Sequence, residues 1–254
     1  NQDSMITSKT KEPLKKALNA GHHVSIATGR PFRMSHQFYQ QLELTTPMVN
    51  FNGALVHIPN QHWVGERETL INREIAFEIL SQKKQLNLDF IAAENRDTFF
   101  IDSFDFFDEK IFASSRPGEK NLLSPKNLTT NPTSLLVRTD KRFAGAVSAE
   151  LTRQFGSYVD VRTWGGPTAI LEIVSKGIQK AKGVQEIANY LSIDQKDVIA
   201  FGDEHNDLVL FDYAGWGVAM ANGTDQLKGI ANDVTPLSNQ EDGLAVYLEK
   251  LLKL

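Results

Sequence analysis

Both ends of this chain alternate short apolar runs, each stopped by a glycine, threonine or aspartate, with stretches of helical periodicity. That alternation leaves few folds open. Near the start, Leu14, Ala17 and Leu18 share one face of a helix expected over residues 8–20, with Pro13 tolerable only near the helix start and Gly21 as the stop. An apolar strand over residues 23–27 leads to Thr28-Gly29-Arg30. Pro31 then opens a helix in which Met34, Phe38 and Leu42 fall on one side. A further strand, residues 48–51, runs into Asn52-Gly53. The rhythm returns later: a helix marked by Val184, Ile187, Ala188 and Leu191, a buried strand at 198–201, a helix at 206–213 and a strand at 216–220. Leu244, Tyr247, Leu248, Leu251 and Leu252 form a closing amphipathic helix. Short connections between such elements predict a parallel α/β sheet.

Residues 70–174 break the rhythm. A helix carrying Ile75, Phe77, Ile79 and Leu80 precedes two strands at 90–93 and 98–101, an irregular part at 117–132, a strand at 135–138 and a helix at 144–155. Strands at 159–164 and 169–174 flank the turn signal Gly165-Gly166-Pro167. Paired strands of this kind predict an inserted α+β domain. The expected organisation is therefore a first core part at 1–69, an insert at 70–174 and a second core part at 175–254, with residues 118–132 the nearest thing to a flexible segment.

The bulk properties narrow the partners. A net charge of −4 argues against nucleic acid or an anionic membrane surface, which call for clustered Lys and Arg. With no cysteine, the chain holds neither disulfides nor thiolate metal sites, as fits a cytoplasmic protein. No apolar run approaches the roughly 20 residues of a membrane helix, and Asn1, Gln2 and Asp3 lack the layout of a signal peptide. A small molecule is the expected partner.

Three segments carry chemistry. In Ile199-Ala200-Phe201-Gly202-Asp203-Glu204-His205-Asn206-Asp207, an apolar strand ends in acids, where open parallel sheets bind ligands; hard oxygen donors there suit Mg²⁺. In Ser25-Ile26-Ala27-Thr28-Gly29-Arg30-Pro31, a hydroxyl and free backbone N–H groups precede a helix and can hold an anion. In the run from Lys176 to Gly183, a lysine can offer a point charge to phosphate oxygens. Each has a plainer reading: Asp203, Glu204 and Thr28 as helix caps, the lysines and Arg30 as solvated charges, and Asn52-Gly53 and Asn222-Gly223 as strand-end turns.

Taken together, the order and spacing of these segments resemble the haloacid dehalogenase (HAD) superfamily, in particular its Cof-type members, over essentially the whole chain. Motif two is matched by Ile26 to Arg30, motif three by Lys180 with Lys176 as the fallback, and motif four by Gly202-Asp203-Glu204-His205-Asn206-Asp207. Asn52-Gly53-Ala54, Ala219-Met220-Ala221-Asn222 and Asn239-Gln240-Glu241-Asp242-Gly243 fit as well. The resemblance implies a Rossmann-like parallel-sheet core with an inserted α+β cap, and a Mg²⁺-dependent phosphatase acting on a small phosphorylated metabolite through a phosphoaspartyl intermediate. It gives Thr28 and Lys180 catalytic places. Thr28, Gly29, Arg30, Asn52, Gly53, Lys180 and Asn206 would bind the phosphorylated substrate, and Asp203 and Asp207 would form the metal site, Asp207 orienting the first shell. The expected assembly is a monomer or homodimer.

The family's first motif, Asp-x-Asp-Gly-Thr, has no counterpart: no two aspartates stand two positions apart, and Asp3 is no substitute. Asp102, Asp105 and Asp108, at three-residue spacing, read as a solvated face or loop. Residues 1–7 look like the segment that follows motif one, so that motif is expected upstream. Two rivals share the fold, a phosphate-binding or regulatory module without a nucleophile and a phosphosugar mutase. A nicotinamide site is excluded, since Gly215-Trp216-Gly217 lacks the third glycine. Sugar phosphates, flavin mononucleotide and pyridoxal phosphate are all compatible substrates, and in the cap Arg138, Arg162 and Trp164 are candidate contacts by residue type alone.

Overall fold

The computed structural model describes residues 1, 4–114, 117–164 and 169–253. The chain divides into two compact units, one of Asn1–Gly29, Ser35–Glu66 and Gln179–Leu254, the other of Arg30–Met34 and Arg67–Ile178.

The first unit begins with α1 (Ser8–Asn19), whose N-cap Thr7 accepts from Thr10 N. Pro13 lies inside α1 rather than in its first turn. The carbonyl of Lys9 thereby loses its amide partner, but Lys9 is exposed and water can replace it, while the Pro13 ring is buried with Ala17. Helix α2 (Phe32–Gln41) follows, its first three residues grouping with the second unit and the rest with the first. Residues 23–27 do not form the expected strand: Ala27 makes an isolated parallel bridge to Val49, with Val49 N donating to Ile26 O and Thr28 N to Val49 O. A strand needs a ladder, and among the described residues this segment pairs on one side only. Strand β1 (Met48–Asn50) turns back on β2 (Leu55–His57) as an antiparallel hairpin, a pairing the parallel expectation did not contain.

In the second unit come β3 (Arg67–Glu68), α3 (Arg73–Ser81), β4 (Leu88–Glu94), β5 (Phe99–Ile101), α4 (Glu109–Phe112), β6 (Ser134–Thr139), α5 (Lys141–Phe155), β7 (Val159–Thr163) and β8 (Ala169–Ser175). Five strands pair antiparallel in the order β5-β4-β6-β8-β7. The period-two alternation sends Ile91, Ala93, Leu135, Val137, Leu171 and Ile173 into one core with Ile75, Ile79, Val147 and Leu151 of α3 and α5. Phe90, Ala92, Leu136 and Ile170 face the other way, into an aromatic cluster with Phe99 and Phe112. The Gly165-Gly166-Pro167 turn lies outside the described residues.

Two expectations for this unit fail. Residues 118–132 are not a loose segment, because Leu123 and Leu128 belong to the helix-side core, and burying them fixes the loop. Nor is Asp102 solvated. Its carboxylate accepts from Lys83 Nζ at 2.5 Å and from Ile91 N at 2.8 Å, with 7% of the side chain exposed. Asp105 bonds Ser103, and Asp108 caps α4 through Lys110 N.

The chain returns to the first unit with α6 (Lys180–Tyr190), β9 (Ile199–Gly202), α7 (Leu208–Tyr213), β10 (Trp216–Ala219), α8 (Asp225–Ile230), β11 (Asp233–Val234) and α9 (Gly243–Leu252). Strands β9, β10 and β11 pair in parallel, in register Val218↔Phe201 and Val218↔Asp233. The helix expected from Asn206 starts later, since a 3₁₀ turn at His205–Asp207 precedes α7. Helix α9 packs along α1. Among the described residues no helix is long and apolar enough to cross a membrane.

Candidate active site

Strand β9 ends at Gly202, and the chain turns at Asp203 and Glu204 into the 3₁₀ turn that carries Asn206 and Asp207. Asp207 points back into the protein. Its Oδ2 accepts from the backbone N–H groups of Asp203 and Glu204, both at 3.1 Å, and its Oδ1 accepts from Lys180 Nζ at 2.7 Å. Lys180 is the first residue of α6, so the ion pair ties that helix to the end of β9. A buried pair is tolerable only when hydrogen bonds satisfy the remaining atoms, and here two amides do so.

Asp203 stands differently. It lines a hollow of about 280 Å³ together with Thr7, Thr10, Phe201, Met220 and Asp242. Burial, and then the neighbouring charges of Asp207 and Glu204, push its carboxyl above the ordinary range. Asn222 Nδ2 lies 3.5 Å from Asp203 Oδ2, and Thr224 N donates to Asp203 O. Asn222 is oriented in turn by Asn239 N, which donates to its Oδ1 at 2.8 Å. Among the described residues no cluster of three His, Asp or Glu side chains forms a complete metal cage. Mg²⁺ does not require one, because it is held by one or two carboxylates with phosphate and water completing the shell. Asp203 offers that carboxylate, whereas both oxygens of Asp207 are engaged by Lys180 and the backbone.

The second half of the site centres on Asn52. Phe51, Asn52 and Gly53 all adopt left-handed conformations, with φ of 49°, 54° and 107°. Asn52 N donates to Thr28 O at 3.1 Å, and Asn206 Nδ2 donates to Asn52 Oδ1 at 3.0 Å. A Cβ on Gly29 would meet Asn52 Nδ2 at 2.9 Å, so the carboxamide lies directly on that glycine. Gly53 is pressed equally hard onto the N-cap of α6, where a Cβ would meet Gln179 O at 2.3 Å. Thr28-Gly29, Asn52-Gly53, Lys180 and the loop of Asp203, Asn206 and Asp207 are thus linked by direct contacts.

The remaining candidates belong to the second unit. Arg30 is exposed and groups with the second unit. Lys176, the fallback for Lys180, pairs with Asp160 at 2.8 Å with 56% of its side chain exposed. Arg138 lies over the rings of Phe90 and Phe106 and bonds Asp89, Arg162 donates to Ile178 O, and Trp164 packs on the aromatic cluster. All three have structural roles within their own unit. Reading turns as turns hid Asn222, although Ala219-Met220-Ala221-Asn222 was the signal for it.

The model of the haloacid dehalogenase-like hydrolases matches residues 1–248. The chain is 35% identical over 255 residues to the Bacillus subtilis protein named 5-amino-6-(5-phospho-D-ribitylamino)uracil phosphatase YitU, covering 99% of this chain and 93% of that protein. It superposes on a haloacid dehalogenase-like hydrolase from Bacteroides thetaiotaomicron with a TM-score of 0.83 at 22% identity, covering 99% and 94% of the two chains. A HAD subclass IIB sugar phosphatase gives a TM-score of 0.77 at 20% identity, covering 98% and 93%. With its parallel core, inserted α+β unit and ordered motifs, the chain belongs to the haloacid dehalogenase-like hydrolases.

Proposed function

We propose that the protein is a Mg²⁺-dependent phosphatase that hydrolyses small phosphate monoesters through a phosphoaspartyl intermediate. One observation carries the reading: a lysine, two asparagines and a Thr-Gly turn from four separate segments are joined by direct contacts at the loop that bears the Asp203 carboxylate. Such a set suits a phosphate dianion with its counter-ion. Asp203 would hold Mg²⁺, which would offset the repulsion between an attacking carboxylate and the phosphate. Thr28, Gly29, Asn52 and Asn206 would bind and orient phosphoryl oxygens. Lys180, fixed by Asp207, would neutralise charge that builds up on them, and Asp207 would keep the Asp203 loop in place. The second unit would serve as the cap that excludes water and contacts the organic part of the substrate.

The name of the B. subtilis relative supports a phosphorylated ribitylaminouracil as the first substrate to try, with sugar phosphates next. A phosphate-release screen on the full-length protein, with and without Mg²⁺ and beside Asp203→Ala, tests the proposal. Activity that survives both metal removal and the substitution refutes it.

A second reading, a phosphate-binding module without turnover, is separated from the first by the same screen. It requires inorganic phosphate to bind while every ester in the screen stays intact.

A further inference from the structure

Behind the Phe51-Asn52-Gly53 turn lies a buried polar chain to which the phosphatase chemistry assigns no part. His57 of β2 and Asn50 of β1 share one face of the hairpin, in register Met48↔His57 and Asn50↔Leu55, and His57 Nε2 is 3.0 Å from Asn50 Oδ1. A carboxamide oxygen only accepts, so that ring nitrogen carries the hydrogen. Asn50 Nδ2 donates in turn to Ser35 Oγ at 2.8 Å. The three side chains belong to residues that are 1%, 0% and 1% exposed.

Burying polar groups costs more than burying apolar ones of the same size unless their bonds are made, so such chains specify geometry. Its end at Ser35 and its middle at Asn50 reach different parts of the site. Ser35 lies on α2, the helix that follows Thr28-Gly29. Asn50 is the last residue of β1, where the chain enters the turn bearing Asn52. Phe51 and Asn52, neither of them glycine, are left-handed at φ of 49° and 54°. Such residues persist only where their surroundings over-determine them. The bonds of Asn50 fix the direction in which β1 ends, and with it the point where the Asn52 carboxamide meets Asn206 and Gly29.

We propose that His57, acting through Asn50, is a positioning residue that holds the Asn52 turn between the Thr28-Gly29 segment and Asn206. The proposal rests on the phosphatase reading only for its kinetic consequence.

The test is a double-mutant cycle in the full-length protein with wild type, His57→Phe, Asn52→Ala and the double variant, using p-nitrophenyl phosphate and Mg²⁺. The side-chain carboxamide NMR signals of Asn52 and Asn206 are recorded alongside. His57→Phe is expected to lower kcat about tenfold, equivalent to roughly 1.4 kcal/mol, with KM changed less than about twofold. It should shift both carboxamide signals and add nothing to Asn52→Ala, because residues that act through one another are non-additive. His57→Gln, which keeps a donor, should restore most of the rate. An undiminished His57→Phe effect in the double variant, or unmoved carboxamide signals, overturns the proposal. If the wild type hydrolyses no ester, the phosphatase reading fails while the carboxamide signals alone still decide this inference. Should His57→Phe not fold, Ser35→Ala, a smaller change at the other end of the chain of bonds, takes its place in the cycle, and the same rate and carboxamide readings support or overturn the proposal.

Discussion

Lys180 Nζ stands 2.7 Å from Asp207 Oδ1, with 8% and 6% of the two side chains exposed. At that depth the two charges depend on each other: neither has enough water to be solvated alone. Lys180→Met therefore leaves the Asp207 carboxylate buried beside Asp203, and the expected loss of stability is about 3–5 kcal/mol by urea unfolding. Phosphate release should fall with it. A loss below about 1 kcal/mol, the range of surface pairs, would show that the pair does not hold α6 to the β9 loop.

Gly53 is the tightest joint between the Asn52 turn and α6. Its φ of 107° is open to few other residues, and a Cβ would press on Gln179 O at 2.3 Å, a backbone atom that cannot swing aside. Gly53→Ala should cost about 2–3 kcal/mol through strain and displacement of the turn. An alanine variant that melts with the wild type would mean that the turn and the N-cap of α6 are not in contact.

The fold was legible where periodicity was long and flanked by stops. The short apolar runs at 90–93 and 135–138, and the helical stripe of Val147, Leu151 and Phe155, became β4, β6 and α5, the two strands being buried on both faces. Residues 23–27 have the composition of a strand, but pairing depends on neighbours that no local pattern specifies. Antiparallel pairing of β1 with β2 was equally hidden, because the turn between them is built from left-handed Phe51 and Asn52. In the site, Asp203, Asn206 and Asp207 were visible in one run of sequence. The division of labour between them came from the family resemblance and not from the residues themselves. Only the direction of each side chain separates a carboxylate facing a hollow from one spent on Lys180. Ser35, Asn50 and His57 left no signal, since a bond between side chains far apart in sequence has no periodicity.

Tyr39 offers a test of the first unit's packing through pH. Its hydroxyl donates to Thr46 O at 2.8 Å in a residue 7% exposed, and burial pushes the phenol up to about 12. In the unfolded chain a tyrosine ionises near pH ~10. The raised folded value means that the unfolded state loses its proton first. The stabilisation is thus fully present below pH ~10, declines as pH rises, and is gone above pH ~12, amounting to roughly 2–3 kcal/mol over that window. Tyr39→Phe should lower stability at neutral pH by about 1 kcal/mol for the lost bond, and flatten that part of the alkaline decline. Because Tyr213 and Tyr247 are also raised, the measurement is the difference between the two proteins' stability–pH curves. Parallel curves would mean that Tyr39 ionises freely in the fold.

Asp203 should make Mg²⁺ binding visible without any substrate. Its carboxylate lines the hollow next to Asp207 and Glu204, so a cation there relieves repulsion that the folded state otherwise carries. Binding to the folded form alone stabilises it by about 2.7 kcal/mol at a hundredfold excess over Kd. Thermal unfolding of the full-length protein should therefore shift upward on Mg²⁺ titration, and the shift should vanish in Asp203→Asn. The Asn variant should itself be no less stable than wild type without metal, since it removes one of three crowded acidic groups. Asp207→Asn should behave the opposite way, losing stability at every Mg²⁺ concentration because Lys180 and two backbone amides lose a charged partner. Equal Mg²⁺ responses in the wild type and Asp203→Asn would remove Asp203 from the metal site.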